Sequence, residues 1–438
     1  MKNVKVLSGI ALVASAVGLT YLLPQVSSRV HLKQSFPPAV CSGIPGDGVT
    51  TAYLSSSKIG VRPILGKSVK FVASGSRNVV MSKNSLLVDG GFATSVLTTS
   101  QPGKWLGSTI CSAGAGDQWF VGGSGEITSK ARLNLVNSGL SESTVGVTVF
   151  TAHQSAVTST VLVGSNSSRQ ISLDSLAPGE SSLVVHVLTQ SGRMSAFLFD
   201  QRTKGLSSLG MDYVNPVSEP TSTVTIPMVL SSPGQGRKIS HFLRLLAPGN
   251  LDANAKVTII SSDGSYTPIG FDDLVIHHGK VTDMALTSIS EVDPFSILVT
   301  SDQPILAGVR SQISGNGNVD FAWSTPAPVL TNNTFNVGGY SPQLVFTGTN
   351  FKVKIAWIST SGSTGNETVS GDQIGYWQPK NPLFQISISP KSEDVRGGMI
   401  FLNTKPGSFG LSYLPMLSGS TVQAALLPVK DAHVISRG

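Results

Sequence analysis

Charge is scarce in this 438-residue chain: Asp, Glu, Lys and Arg make up 13% of it, about half the share usual in soluble domains. Aromatic residues reach only 7%, and there are two cysteines. Outside residues 6–23 there is no second long apolar run and no sustained 3.6-residue apolar period. A multi-helix cytosolic enzyme is therefore a poor fit, because long helices draw on Ala, Leu, Glu and Lys. The 46 Gly and 24 Pro are too few for a collagen or a low-complexity linker. Ser, Thr, Gly and Val fill the space instead, a composition that suits an extracellular all-β protein.

The N-terminus reads as an export or anchor segment. Lys2 and Lys5 precede the apolar run 6–23, which ends at Pro24. The run reaches the roughly 18 residues a bilayer-spanning helix needs, so an uncleaved signal anchor is expected at 1–28. Cleavage after Val26-Ser27-Ser28 is the alternative. The chain is thus expected to be a single-pass protein of the cell membrane with an extracytoplasmic C-terminal region, or else secreted. In that compartment Cys41 and Cys111 read as a disulfide, with two buried free thiols as the alternative. No histidine spacing completes a zinc site around them.

Alternation dominates the remainder. Phe384, Ile386 and Ile388 alternate with Gln385, Ser387 and Ser389, and Val257 and Ile259 with Lys256 and Thr258, as in strands with one wet face. The run Leu183-Val184-Val185-His186-Val187-Leu188 is apolar on both faces and suits a central strand between two layers. Turn residues recur at Asn137-Ser138-Gly139, Ala177-Pro178-Gly179, Ala247-Pro248-Gly249 and Lys405-Pro406-Gly407. This pattern repeats at a period near 100 residues, and each copy closes on similar punctuation: Ile226-Pro227-Met228-Val229-Leu230, Ala327-Pro328-Val329-Leu330, Leu414-Pro415-Met416-Leu417. Six or seven short strands per unit predict tandem immunoglobulin-like β-sandwich modules, with a β-propeller-like arrangement as the alternative. The expected organisation is a signal segment at 1–28, a basic membrane-proximal β module at 29–125, and sandwich repeats at 126–236, 237–330 and 331–438.

Cys111 followed by Trp119-Phe120-Val121-Gly122-Gly123, then Leu133-Asn134-Leu135-Val136-Asn137-Ser138-Gly139, the Leu176-Ala177-Pro178-Gly179 step and Gly210-Met211-Asp212-Tyr213-Val214 carry a resemblance. Together they resemble an uncharacterised family of actinobacterial exported proteins. The resemblance implies export and β architecture, and it implies no activity, cofactor or catalytic residue.

Motifs of known chemistry do not complete themselves. Gly60-Val61-Arg62-Pro63-Ile64-Leu65-Gly66-Lys67-Ser68 has the wrong glycine spacing for a phosphate loop and no helix after it. Ser55 and Lys58 match a serine–lysine pair without its companion motifs, and Gly122-Gly123-Ser124-Gly125 lacks a nucleophile elbow's spacing. His277 and His278, if on a strand, point to opposite faces and cannot share a metal. Asp252, Asp263, Asp272, Asp273 and Asp283 lack calcium-loop spacing, and the five tryptophans are dispersed, as core residues are. The expected role is therefore that of a non-catalytic cell-envelope protein: an extracytoplasmic scaffold, adhesion or binding subunit without a cofactor. The alternative is an envelope hydrolase or glycan-modifying enzyme with a site built from inter-module loops.

Charge is distributed unevenly. Residues 29–125 carry nine basic residues, Arg29, Lys33, Lys58, Arg62, Lys67, Lys70, Arg77, Lys83 and Lys104, against three acidic ones, while 126–236 and 237–330 are net negative. These nine are expected to hold the first module against anionic lipid or cell-wall polymer, with the other units projecting away. The expected partners are thus the membrane, through the N-terminal helix, and such an anionic surface. A protein partner is not specified, and nucleic acid is not expected.

Overall fold

Alternating β-branched and polar residues need a layer to bury one face against, and each repeat supplies it by folding into two four-stranded antiparallel sheets. The computed structural model describes residues 33–35, 38–43, 48–64, 70–81, 84–89, 95–100, 103–231, 236–287, 289, 293–403, 409–417 and 425–427. The expected helix at 6–23 lies outside them. Among the described residues no helix is long and apolar enough to cross a membrane. One small unit pairs Lys33–Ser35 with Ala425–Leu427, antiparallel. The large unit, 36–423, holds four β-sandwiches, so the all-β, tandem-sandwich reading holds.

The second sandwich shows the plan. Its eight strands are Asp117–Val121, Arg132–Asn137, Ser143–Thr151, Val157–Val163, Ser167–Ser172, Leu183–Ser191, Met194–Lys204 and Ser207–Val214. One sheet runs first, sixth, third, fourth; the other runs fifth, second, seventh, eighth. The first and fourth sandwiches repeat that order, and the third does so with one further short strand, Leu274–Ile276, beside Gly264–Tyr266 on its third strand. In the third, the sixth and seventh strands fuse into one 21-residue strand, Phe295–Gly315, that belongs to both sheets. The architecture is that of an immunoglobulin-like sandwich with its own strand order.

Each sandwich has eight strands rather than six or seven, and two of the segments that read as punctuation are themselves strand. Ile226-Pro227-Met228-Val229 belongs to the opening strand of the third sandwich, Thr221–Val229, whereas Leu414-Pro415 closes the last strand of the fourth, Leu411–Pro415. Proline is tolerated at both places because both are edge strands. The second and third sandwiches accordingly start at Asp117 and Thr221, upstream of residues 126 and 237.

The four sandwiches do not project as a string. The face carrying the first and sixth strands of each packs on the face carrying the second and seventh strands of the next. Val40 and Leu87 meet Val136 and Phe197. Trp119, Val121 and Val184 meet Leu246 and Leu306. Met228 meets Val345 and Ile400. The fourth sandwich then meets the first: Phe335 and Val337 share a cluster with Tyr53 and Leu97, and the Ser95 hydroxyl donates to the Asn336 carbonyl. The ring is closed. The run at 183–188 is apolar on both faces for this reason: Leu183, Val185 and Val187 enter their own core, while Val184 enters the contact with the next sandwich.

The four eighth strands, Leu106–Ile110, Ser207–Val214, Asn318–Ser324 and Leu411–Pro415, meet along the axis of the ring. Two fully buried carboxylates tie them together. Asp212 accepts from the Trp323 amide (2.9 Å), the Ser108 amide (3.4 Å) and the Ser412 hydroxyl (2.6 Å). Asp320 accepts from the amides of Leu411 (2.8 Å), Met211 (3.1 Å) and Leu106 (3.2 Å). Each carboxylate on one axial strand thus reaches the other three. Gly210 sits at φ +110°, and a Cβ there would fall 2.4 Å from an Asp320 oxygen, so only glycine fits beside it.

Cys41, in the first strand of the first sandwich, is bonded to Cys111, just past its eighth, with S–S at 2.03 Å. The bond closes a sequence span of 70 residues and joins the two sheets of that sandwich at one edge. Replacing both cysteines by alanine is expected to cost about 2–5 kcal/mol. Amide exchange should show the loss concentrated in the first sandwich; equal deprotection of all four would contradict this.

Asp320→Ala leaves three buried amides without an acceptor and is expected to cost about 3–5 kcal/mol. A urea midpoint unchanged by the substitution would refute the axial role.

The pH dependence has two limbs of opposite sign. Burial pushes Asp212 and Asp320 well above the usual carboxyl range, and their mutual repulsion raises Asp212 further. Their contribution as protonated acids is complete below the unfolded value near 3.8 and is lost as pH rises through the raised values. Burial pushes His241, which contacts the Ser311 hydroxyl at 2.9 Å, down to about 4. Its contribution is complete above the unfolded value near 6.5 and falls by about 3 kcal/mol as pH drops to about 4. His241→Gln should flatten the acid limb alone in urea midpoints measured stepwise with pH.

Candidate functional site

The linkers between sandwiches gather at one end of the axis around a cavity of about 710 Å³, a size typical of ligand sites. Its walls come from three linkers, 112–116, 216–219 and 326–328, from the opening strand Thr221–Val229, from Ile305, Leu306 and Ala307, and from Leu417. Proline and glycine make these linkers irregular, so their backbones curve around the opening instead of extending a sheet. Val217, Leu306 and Leu417 make the interior apolar; Asp117, Glu219 and Arg396 add charge. Asp117 contacts His186 Nε2 at 2.8 Å, and His186 stacks on Trp119 with ring centroids 3.8 Å apart. Arg396 pairs with Asp394 at 2.7 Å.

A second charged cluster braces the second and third sandwiches. Arg244, 2% exposed, donates twice to Asp283 (2.7 Å each) and also to the carbonyls of Gly123 (2.8 Å) and Leu183 (2.9 Å), with its guanidinium 4.9 Å from the Trp323 ring. Burial opposes ionisation of Asp283, but the Arg244 charge and hydrogen bonds, with the Ser182 hydroxyl, hold its carboxyl below the usual range. Asp200 accepts from Arg202 and from Trp323 Nε1. Two glycines serve this contact: Gly123 supplies a carbonyl to Arg244, and a Cβ on Gly122 would meet the Trp323 ring at 3.1 Å.

His277 and His278 do come together, contrary to the strand argument, because the strand Leu274–Ile276 ends before them. Their Nδ1 atoms reach the two oxygens of Asp252 at 2.9 and 2.6 Å. Hydrogen bonds from the His278 amide and from both rings hold the Asp252 carboxyl well below its usual range. Among the described residues no group of three or more His, Cys, Asp or Glu is arranged to hold a metal. Trp323, Trp105, Trp119 and Trp377 are buried, as their dispersal suggested.

The basic residues of the first module separate. Lys58, Lys70, Arg77 and Lys104 are exposed, and the Arg77 guanidinium lies 4.7 Å from the Phe384 ring of the fourth sandwich. Arg62 departs from the surface expectation. It is 4% exposed, its guanidinium donates to Asn166 Oδ1 of the second sandwich, and Phe71 lies beneath it. On a strand paired on both sides, its alternate position faces the neighbouring sandwich rather than solvent. Arg29, Lys67 and Lys83 lie outside the described residues, and Lys33 lies on the short strand Lys33–Ser35. Sequence reasoning missed Asp212 and Asp320. No local signal marks them: each stands on the polar phase of its strand, in Met211-Asp212-Tyr213 and Val319-Asp320-Phe321, and so reads as solvent-facing.

Among solved structures, a tetra-tandem repeat in the extending region of a large adhesion protein aligns with 90% of this chain and 97% of its own, at 10% identity and a TM-score of 0.10. A likeness that slight carries no argument. No curated protein matches the sequence. The model of a family of unknown function, DUF5719, matches residues 77–370, which run from the first sandwich into the fourth. This chain belongs to the DUF5719 family.

Proposed function

We propose that this protein is a non-catalytic binding subunit of the cell envelope, held outside the membrane by its N-terminal segment and presenting the axial cavity to a partner. The observation that carries the reading is the closed ring, in which four sandwiches are locked face to face and their linkers gather around one recess. A rigid frame with a recess suits recognition, since little ordering cost remains to be met on binding. The Cys111…Trp119-Phe120-Val121-Gly122-Gly123 pattern supports an actinobacterial exported origin, and the Cys41–Cys111 bond suits an oxidising compartment. A single-pass anchor at 1–28 is the favoured attachment; secretion after cleavage is the alternative.

Exposed Lys58 and Lys70 support contact with anionic lipid or wall polymer. Each such cation contributes up to about 1 kcal/mol near the surface and is screened by salt. The full chain is expected to co-sediment with phosphatidylglycerol vesicles in low salt and to be released in high salt. The double variant Lys58→Glu, Lys70→Glu should bind about tenfold more weakly. Equal binding to phosphatidylcholine vesicles, or indifference to salt, would overturn the surface contact.

A further inference from the structure

The wall of the axial cavity includes an unfinished sheet edge. The strand Thr221–Val229 is the outermost of its sheet and pairs along one side only, with Phe295–Gly315. On its other side the Thr225 carbonyl accepts from the Ala327 amide. Residues 223–226 keep an unbroken register with 297–300. In an antiparallel ladder the backbone groups of alternate residues face the same way, so those of Thr223 point to the side that Thr225 faces. Among the described residues, the Thr223 carbonyl accepts the Thr221 hydroxyl on that side, at 2.8 Å. Beyond the ladder with Phe295–Gly315, its amide meets no backbone acceptor among the described residues. Thr221, Thr223 and Thr225 all line the cavity.

The charge around this edge is unbalanced. Among the described residues Asp117 and Glu219 form no ion pair with lysine or arginine, whereas Arg396 is taken up by Asp394. Val217, Leu306 and Leu417 lie inside.

We infer that the axial cavity docks an extended peptide segment that bears lysine or arginine and adds as a strand to the edge at 221–225, a reading that rests on the binding-subunit function proposed above. Its backbone completes the hydrogen bonding at Thr223. Its alternate side chains divide between the apolar interior and the carboxylates of Asp117 and Glu219, which is how strand addition combines affinity with side-chain selection.

The test uses the full chain and fluorescein-labelled seven-residue probes read by anisotropy at low salt: acetyl-(Val-Lys)3-Val-amide, its Glu counterpart, and the Lys probe N-methylated at alternate residues. The Lys probe should bind at least about tenfold more tightly than the Glu probe, and Asp117→Asn with Glu219→Gln should abolish that preference. Thr223→Pro removes an outward-facing amide without touching the ladder to Phe295–Gly315, and should weaken the Lys probe about fivefold, as should one of the two N-methylation registers. Amide exchange should slow at 221–225 on binding. Equal affinity for both charges, preference for the Glu probe, indifference to Thr223→Pro, self-association of the chain in place of probe binding, or no binding of any probe would each overturn the inference. Vesicle co-sedimentation of the same preparation reports the surface contact separately, so a failed peptide site is distinguishable from a failed envelope reading.

Discussion

Two carboxylates that have given up water hold the centre of this molecule. Removing an ionisable group from solvent is costly unless hydrogen bonds replace its hydration, and Asp212 and Asp320 recover most of that hydration from other sandwiches. Every donor to Asp212 or Asp320 described above comes from a different axial strand. The arrangement is therefore cooperative: no single sandwich satisfies its own aspartate, and one displaced sandwich leaves both acids short of donors. Asn215 extends the same logic, taking a bond from Thr109 and giving one to the Tyr413 carbonyl.

Around that centre a single kind of contact is used four times. A head-to-tail interface generates either a ring or an open filament, depending on whether its rotation closes. Here it closes after four units within one chain. Repeat proteins of open form need capping units with a polar outer face; in this ring the first and last sandwiches cap each other through Tyr53, Leu97, Phe335 and Val337. The edges left over are the fourth and fifth strands on the rim and the opening strand of the third sandwich beside the cavity.

Local pattern made the strands legible, since alternation and turn residues act over a few positions. Val257, Ile259, Ile386 and Ile388 are buried as their spacing requires. The disulfide was legible too, because a chain with two cysteines offers one pairing within itself. What depends on distant partners was not. Ser412 reaches Asp212 across 200 residues, and no window around Leu411-Ser412-Tyr413 announces it. Arg62 counts as surface charge in any tally by segment, yet it lies under the second sandwich and donates to Asn166, 104 positions away. The cavity escaped for a related reason: its lining is drawn from linkers, where Pro and Gly record only that a strand has stopped.

Ring closure also sets an order of events during synthesis. The Ser108 hydroxyl meets that of Ser412 across 304 residues, so the axis stays incomplete until the strand Leu411–Pro415 has emerged. Contacts of such separation form slowly, because the intervening chain must first be confined. The first sandwich therefore waits longest, its inner face uncovered, for the fourth to arrive. It is also the sandwich with a covalent bond across its two sheets. Cys41 and Cys111 lie entirely within the earliest-made of the four sandwiches, so the bond can form before the other three exist and keep that unit in shape for the last docking step.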